Sequence, residues 1–223
     1  MKLTLIVTTY NWPESLLLVM ESIKKQTILP DELIIADDGS GEKTRDLIND
    51  FKKDSGLNII HSWQDDVGFR VARSRNKAIF KSSGDYIVLI DGDTILHSNF
   101  VKDHICNAES GFFVQGSRVL LSRKLTKKAL AGKKINFSFF TSQLNNRKNS
   151  IHSGLLSKIF SSKKNHLDGI KSCNMAFYRE DCLNINGFNN EFEGWGREDS
   201  EFVVRMINSG VKRKNVRFNA IQF

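Results

Sequence analysis

The sequence predicts an α/β fold, a Rossmann-like mixed sheet of mostly parallel strands flanked by helices. Two observations support this prediction. Short apolar runs alternate with helical patterns over residues 3–90, an order that builds a parallel sheet with right-handed crossovers. The runs are rich in Ile, Val and Leu, as expected of strands buried on both faces. With 223 residues and 40% hydrophobic side chains, the chain can bury one large core, so we expect a single domain over residues 1–223.

The first 98 residues carry the regular part of this pattern. An apolar run over residues 3–9 is followed by Asn11-Trp12-Pro13-Glu14, where Asn11 is expected to cap a helix and Pro13 to occupy its first turn. Further strands are predicted over 33–36, 57–61 and 86–90, with helices over 44–53 and 71–82 between them.

The pattern changes beyond residue 98. A helix over 99–109 and a strand over 112–115 precede a segment, residues 123–164, that is rich in Lys, Ser and Asn. Beyond it we expect a strand over 172–178, a helix that ends at Ile207 and a strand over 216–223. Because the chain ends inside that last predicted strand, we expect the natural protein to continue further.

Polar clusters directly follow three of the predicted strands. They are Thr8-Thr9-Tyr10-Asn11, Asp37-Asp38-Gly39-Ser40 and Asp91-Gly92-Asp93. Ligands of open α/β sheets bind at the carboxyl ends of the strands, so these clusters are expected to share one site. A single cluster of this kind would more simply be a turn, because Asp-Gly is common in turns.

The carboxylates of these clusters suggest a metal and a nucleotide. Asp91 and Asp93 flank a glycine and can bind a hard divalent cation, whose other ligands are naturally diphosphate oxygens. The alternative is a turn with two solvated acids. Asp37 or Asp38 can accept hydrogen bonds from a base N–H or a ribose hydroxyl.

Three arginines near the start of a predicted helix suit a diphosphate. Arg70, Arg73 and Arg75 lie in the segment that begins with Asp65 and Asp66. Guanidinium groups and a helix N-terminus both favour phosphate oxygens. Surface ion pairs between these arginines and the two aspartates are the alternative.

The positive charge of the chain is concentrated in one segment. The formal net charge is +8, from 33 Lys and Arg against 25 Asp and Glu. Residues 123–164 hold eleven of the basic residues and no acidic one, so the rest of the chain carries 22 against 25, a net of −3. A nucleic-acid binder normally builds its positive face into the fold, so we exclude nucleic acid as a partner.

Cysteine usage and the N-terminus point to the cytoplasm. Cys106, Cys173 and Cys182 form no metal-binding or disulfide pattern and are expected to be reduced thiols. The N-terminal apolar run is too short for a signal peptide, and no apolar run reaches the ~18 residues of a spanning helix. We therefore expect a cytoplasmic protein that does not cross a membrane.

Taken together, the ordered motifs carry a family resemblance. Thr8–Asn11, Asp37–Ser40, Gly68-Phe69-Arg70 with Arg73 and Arg75-Asn76, and Asp91–Asp93 resemble family 2 inverting glycosyltransferases of the GT-A fold. Gly194-Trp195-Gly196-Arg197-Glu198-Asp199 looks like the G-W-G-x-E-D motif of galactosyltransferase-type and chondroitin-polymerase-type enzymes. Cys173-Asn174-Met175 and the overall length look most like small bacterial hexosyltransferases of the lipopolysaccharide core.

The resemblance implies a role for each matching residue. Residues 1–98 would bind a UDP-hexose donor and residues 99–223 a saccharide or glycolipid acceptor. The donor-binding residues implied are Thr8, Tyr10, Asp37, Asp38, Asp65, Arg73 and Asp91. Asp93 would hold Mn²⁺ or Mg²⁺. Trp195, Gly196 and Asn174 would contact sugar, Glu198 would bind sugar hydroxyls, and Asp199 would be the catalytic base.

This allocation agrees with the chemistry of a single displacement. Such a step builds negative charge on the leaving diphosphate, which a metal neutralises, and needs one carboxylate to remove the acceptor's proton. Without the preceding Gly-Trp-Gly, Glu198 and Asp199 would be read as ordinary acidic residues at a helix N-terminus.

One feature departs from the family pattern. Related enzymes place a histidine metal ligand after the helix that carries the acidic pair, whereas all five histidines here precede Gly194. Either that ligand lies beyond Phe223, which we favour, or Asp93 and the nucleotide hold the metal alone.

The basic segment contains an apolar helical stripe. Its members are Ile151, Leu155, Leu156, Ile159 and Phe160, flanked by Lys158, Lys163 and Lys164. This pattern is typical of helices at a membrane interface and predicts peripheral contact of residues 123–164 with the inner membrane. A weaker repeat involves Leu121, Leu125, Ala129 and Leu130. The alternative is a helix that packs over the acceptor side of the site with its lysines solvated.

Two other classes of protein compete with the transferase hypothesis. A nucleotidyltransferase would need a Gly-rich loop with Arg and Lys after the first strand, and Thr8–Pro13 has neither. A non-catalytic binder of anionic glycolipid would leave the acidic clusters unexplained. Among transferases, an enzyme of capsule or other surface polysaccharide is the alternative to the lipopolysaccharide core.

Overall fold

The computed structural model describes residues 1–194 and 196–223, and within these ranges the chain forms ten strands, eight α-helices and one 3₁₀ helix (Arg147–Ser150). The strands are β1 (Leu3–Thr9), β2 (Glu32–Asp37), β3 (Ile59–Trp63), β4 (Tyr86–Asp91), β5 (Phe112–Gln115), β6 (Leu120–Leu121), β7 (Leu144–Asn145), β8 (Ser162–Lys163), β9 (Asn174–Tyr178) and β10 (Lys212–Asn215). The helices are α1 (Pro13–Lys24), α2 (Glu42–Ser55), α3 (Val71–Lys81), α4 (Phe100–Asn107), α5 (Arg123–Ala131), α6 (Gly154–Phe160), α7 (Arg179–Asn184) and α8 (Glu198–Asn208).

Eight strands form one mixed sheet in the order β3-β2-β1-β4-β9-β5-β10-β8. Strands β1 to β4 pair in parallel, as do β5 and β10, whereas β9 runs antiparallel to β4 and β5. The predicted α/β class with a mostly parallel sheet is therefore confirmed. Because β9 is antiparallel to both neighbours, β5 points the same way as β1 and β4, and its carboxyl end reaches the same edge.

Two layers of helices cover the sheet. Side chains from α1, α2 and α4 pack on one face, with Leu16, Ile48 and Phe100 buried there. On the other face α3 and α8 bury Ala78 and Phe202. All seven residues of β1 are buried, as expected of a strand covered on both sides.

The C-terminal segment corrects one prediction. The last strand is β10, and residues 216–223 are irregular, with Phe218 and Ala220 at φ values of 61° and 50°. These left-handed positions break an extended strand. The apolar residues that suggested one, among them Ile221 and Phe223, are buried against other elements instead.

Two local predictions are also wrong. The residue before α1 is Trp12, and the side chain of Asn11 does not cap that helix; Asn11 Oδ1 instead accepts the N–H of Gly41 at 2.9 Å. The weaker repeat on α5 is not interfacial, because Leu125 and Ala129 are buried in a third apolar cluster.

The apolar stripe over residues 151–160 is only partly exposed. Helix α6 has seven residues; Leu155, Ile159 and Phe160 are exposed, whereas Ile151 and Leu156 are half-buried. All three cysteines are free, as predicted. Over the described part of the chain, none of the helices combines the length and the apolarity that a membrane crossing requires.

Candidate active site

A cavity of about 550 Å³ opens at the edge of the sheet where β1, β4 and β5 end. Eight of the predicted site residues line this cavity: Thr8, Tyr10, Asp38, Asp91, Asp93, Gly196, Glu198 and Asp199. Strand ends from the first 98 residues and the start of α8 thus meet in one place, as expected for the carboxyl edge of an α/β sheet.

Strands β1 and β4 fix the position of the acidic turn. Thr8 is the register partner of Asp91, and the N–H of Gly92 donates to the carbonyl oxygen of Thr8 at 2.6 Å. A Cβ at Gly92 would lie 2.8 Å from that oxygen. Only glycine allows this close approach, which holds Asp91 and Asp93 on either side of the turn.

The two aspartates of the Asp37–Ser40 cluster have different surroundings: Asp37 is buried beneath the turn, and Asp38 faces the cavity. Asp37 is fully buried and accepts hydrogen bonds from Ser40 N at 2.8 Å and His61 Nε2 at 2.8 Å. Burial raises the pKa of Asp37, but these hydrogen bonds outweigh it and leave the pKa below its usual value. Asp37 therefore supports the turn from beneath and does not line the cavity.

Asp38 faces the cavity. It accepts hydrogen bonds from Gln64 Nε2 at 2.6 Å and from Arg70 N at 2.8 Å, which orient its carboxylate. Burial raises the pKa of Asp38 above its usual value. Beside it, the hydroxyl of Tyr10 donates to Asp66 at 3.0 Å, so this aromatic ring is held at the entrance.

Asp91 and Asp93 form the acidic floor of the cavity. Burial raises the pKa of both carboxyl groups, and the positive charge of Arg118 opposes that rise in each case. The nearby positive charge does not fully offset the cost of partly burying these two carboxylates. Carboxylate oxygens are the ligands that a hard divalent cation prefers, and such a cation would supply the missing charge. The residues present therefore fit Mn²⁺ or Mg²⁺.

Glu198 is tied to the opposite wall. Its Oε1 accepts a hydrogen bond from Arg75 Nη1 at 3.0 Å, and Arg75 Nη2 lies 3.5 Å from Asp91. Arg75 is buried, and its guanidinium also lies 5.5 Å from the ring centroid of Phe188. This arginine joins the first residue of α8 to the acidic turn after β4.

Asp199 occupies the next position of α8 and remains open to the cavity. Its Oδ1 accepts the N–H of Ser200 at 2.7 Å. In contrast to Glu198, Asp199 has no ion-pair partner among the described residues, and its side chain is only partly buried. A carboxylate in this position can approach a hydroxyl group of a bound sugar.

Besides Asp37, three predicted residues do not line the cavity: Asp65, Arg73 and Asn174. Asp65 and Arg73 are exposed, while their near neighbours Asp66 and Arg75 participate in the site or its entrance. Trp195 lies outside the described residues. Asn174 is buried, and its side chain is fully used by His104, Ser117 O and Ala220 O. Asn174 supports the site from within and lines a smaller neighbouring cavity.

Several lining residues were absent from the predicted set. Trp12 and Phe69 contribute aromatic surface, and Arg118 and Lys171 contribute charge. Arg118 lies shortly after the end of β5. Polar residues after β1, β2 and β4 were predicted to bind ligand because of that position, and the same reasoning applied to β5 predicts Arg118. Lys171 precedes β9, and no comparable sequence signal marks it.

A second group of metal-binding residue types lies elsewhere. His97, Asp103 and His152 bring their ligand atoms within 4.8 Å of one another. The two imidazole rings stack at 4.6 Å with an interplanar angle of 17°, and His152 Nε2 lies 3.0 Å from Asp103. Nitrogen lone pairs of parallel rings do not converge on one point, so this cluster is better described as hydrogen-bonded packing between α4 and the basic segment.

Sequence comparison relates most of the chain to known families. Residues 4–180 match Glycosyl transferase family 2, and residues 156–222 match the N-terminal domain of galactosyltransferase. An O-antigen chain rhamnosyltransferase of Salmonella typhimurium is 41% identical over 101 residues, which are 43% of this chain and 29% of that protein. Chondroitin synthase of Escherichia coli is 24% identical over 237 residues, covering 96% of this chain and 33% of that protein. The chain thus spans about a third of the length of these relatives.

Solved structures share the fold. Staphylococcus aureus TarS 1-349 in complex with UDP gives a TM-score of 0.67 at 16% identity, covering 100% of this chain and 60% of that one. The mannosyltransferase PcManGT from Pyrobaculum calidifontis, in complex with GDP-Man and Mn²⁺, gives 0.62 at 17% identity, covering 99% and 56%. The likeness shows the GT-A fold.

Proposed function

The chain belongs to glycosyl transferase family 2, and we propose on that basis that it moves a hexose from a UDP-sugar to a hydroxyl group of a saccharide acceptor with inversion. As a glycosyltransferase it is neither a nucleotidyltransferase nor a non-catalytic glycolipid binder. In this proposal residues 1–98 serve the donor and residues 99–223 the acceptor. One observation carries it: Asp199, free of any basic partner among the described residues, faces the same cavity as the Asp91–Asp93 turn.

The donor would occupy the part of the cavity bounded by the first strands. Thr8, Tyr10 and Asp38 line that part and offer a hydroxyl, an aromatic face and an acceptor-only carboxylate. These groups suit the uracil and ribose of UDP. Asp91 and Asp93 would hold Mn²⁺ or Mg²⁺, which when bound neutralises negative charge on the leaving diphosphate.

Asp199 would act as the general base. Its carboxylate takes the proton of the acceptor hydroxyl as the oxygen attacks the anomeric carbon, while the bond from that carbon to the diphosphate oxygen breaks. The bonding pair leaves with UDP, and a single displacement inverts the anomeric centre. Glu198 cannot share this role freely, because its carboxylate is held by Arg75 at 3.0 Å.

The acceptor class is the least specified part of the proposal. We propose a saccharide of the lipopolysaccharide or lipooligosaccharide core, with capsule or another surface polysaccharide as the alternative. The relative named as an O-antigen chain rhamnosyltransferase supports a bacterial surface glycan in general. We also propose that residues 123–164 bring the enzyme to the inner face of the cytoplasmic membrane.

Calorimetry with UDP in the presence and absence of Mn²⁺ tests the donor side. We expect metal-dependent UDP binding by the unaltered protein and loss of the metal dependence in Asp93→Ala. Asp54→Asn is the matched control, because Asp54 is exposed on α2 and does not line the cavity, and it should change neither property. Failure of the unaltered protein to bind UDP with Mn²⁺ would refute the proposal.

Asp199→Asn separates chemistry from binding. The amide keeps the size of the side chain but cannot accept a proton, so UDP binding should persist while transfer falls by roughly 10²–10⁴-fold. Transfer is measured with a panel of UDP-sugars and core saccharides. Full turnover by Asp199→Asn would show that another group is the base.

A further inference from the structure

A second, smaller cavity adjoins the candidate active site. It has a volume of about 190 Å³ and shares three lining residues with the larger cavity, Arg118, Lys171 and Cys173. Its other walls include Asn146 and Asn149 from the basic segment. Thr8, Tyr10 and Asp38 do not line it, so a group bound there lies outside the part of the site proposed for the nucleotide.

Arg118 stands between the two cavities and forms no salt bridge with a described carboxylate, although its charge acts on Asp91 and Asp93. Among the described residues its side chain makes one hydrogen bond, from Nη1 to Sγ of Cys173 at 3.7 Å, and its buried Nε has no hydrogen-bond partner. Arg75, by comparison, is held by two carboxylates. A guanidinium with open donors in a partly buried wall favours an oxyanion, which can accept two hydrogen bonds from it.

Lys171 adds a second cation at the same wall. It is exposed, and within residues 1–194 and 196–223 its ammonium group forms no ion pair. Its main chain is held firmly, because the buried amide of Gln115 donates to Lys171 O at 2.9 Å and accepts Lys171 N at 3.1 Å. Lys171 therefore presents its side chain from a fixed point on the rim.

The backbone of Arg118 is fixed by equivalent contacts. Asn174 Nδ2 donates to Ser117 O at 2.9 Å, and Asn149 Nδ2 donates to Arg118 O at 3.2 Å. Gly116 leaves no room for a side chain, since a Cβ would lie 2.4 Å from Asn174. The end of β5 and the start of β9 thus place over one polar cavity two cations that form no salt bridge with the described residues.

We propose that Arg118 and Lys171 form a subsite for an oxyanion, a phosphate or a carboxylate, carried by the acceptor saccharide. This inference rests on the proposed transferase function and names the class of acceptor: a sugar with an anionic substituent close to the hydroxyl that reacts. The subsite adjoins the basic segment, because Asn146 and Asn149 of that segment line the small cavity.

Binding of three simple probes tests the subsite. We expect glucose 6-phosphate and glucuronate to bind the unaltered protein, loaded with UDP and Mn²⁺, roughly tenfold more tightly than glucose, as expected for charge-assisted hydrogen bonds. Arg118→Gln and Lys171→Ala should each reduce that advantage by about threefold or more. Lys127→Ala, an exposed lysine of α5 that does not line the small cavity, is the control and should leave it unchanged.

The outcomes distinguish this inference from the proposed function. Equal binding of the three sugars while UDP binds normally overturns the subsite and leaves the transferase proposal intact. Competition between glucose 6-phosphate and UDP also overturns it, because the two cations would then serve the donor diphosphate. Absence of UDP binding in the unaltered protein refutes the transferase proposal itself.

Discussion

Arg75 connects the two sides of the candidate active site. It is buried between Glu198 on α8 and Asp91 at the end of β4, and removing its charge leaves the Glu198 carboxylate, whose side chain is 11% exposed, without its partner. We expect Arg75→Met to lower the free energy of unfolding by about 3 kcal/mol, the scale of a broken buried ion pair. Urea denaturation measures this change.

The same helix supplies the control for that prediction. Arg73 lies two residues earlier and is exposed, so Arg73→Met should change stability by about 0.5 kcal/mol or less. Equal effects of the two substitutions would mean that the pairing with Glu198 and Asp91 contributes nothing. The double variant Arg75→Met with Glu198→Gln should lose less than the sum of the single changes.

These two arginines also show what could be predicted at the scale of residues. The sequence placed an arginine cluster near the start of α3, but the resemblance assigned the nucleotide role to Arg73. Consecutive helical residues are ~100° apart, so Arg73 and Arg75 point to nearly opposite sides. Which of the two arginines faces the site depends on how α3 packs on the sheet. For the neighbouring loop residues Asp65 and Asp66, the sequence likewise does not determine which side chain reaches the site.

At the scale of elements, the turn after β2 offers a specific test. Gly39 has φ of 101°, and a Cβ there would lie 2.6 Å from Cα of Asp66. We expect Gly39→Ala to cost about 3 kcal/mol of unfolding free energy, because backbone strain adds to a collision with main-chain atoms. UDP binding should weaken as well, since Asp38 adjoins this turn.

Gly56 allows the two contributions to be separated. It also has a positive φ, 69°, but a Cβ would meet nothing within 4 Å. Gly56→Ala should therefore cost only about 1 kcal/mol, the strain of the left-handed conformation. Chemical denaturation of both variants measures the difference, and similar losses would exclude the contact with Asp66 as a cause.

The strands and helices of residues 1–98 were predictable because the strands are buried in a simple way. Strands β1, β2 and β4 are covered on both faces, so each reads as a continuous apolar run bounded by polar residues. Residues 216–223 also contain apolar side chains, but these pack in two different places. Val216 and Ala220 join the cluster of α1 and α4, whereas Ile221 and Phe223 join a cluster with Leu18 and Leu125. The apolar residues of this segment are buried, as the sequence indicated. Its backbone conformation, however, depends on contacts with residues that are distant in sequence.

For the molecule as a whole, the positive charge that is concentrated in residues 123–164 lies on the surface. All eleven basic residues of the segment 123–164 are exposed. The same segment exposes Phe140, Leu155 and Ile159, by 89%, 71% and 63% of their surface. Exposed apolar groups among exposed cations are the combination that binds anionic lipid surfaces, because lysines near the surface and buried methylene groups each contribute about 1 kcal/mol.

Co-sedimentation with lipid vesicles tests the proposed membrane contact. The protein should bind vesicles that contain phosphatidylglycerol and not vesicles of phosphatidylcholine alone, and binding should weaken as salt increases. Leu155→Ser with Ile159→Ser should reduce binding by roughly tenfold, since both side chains would otherwise enter the interface. Phe80→Ser is the control, because Phe80 is 80% exposed but belongs to α3, outside the basic segment. Equal losses from the two variants would assign the binding to general surface hydrophobicity and contradict a specific role for residues 123–164.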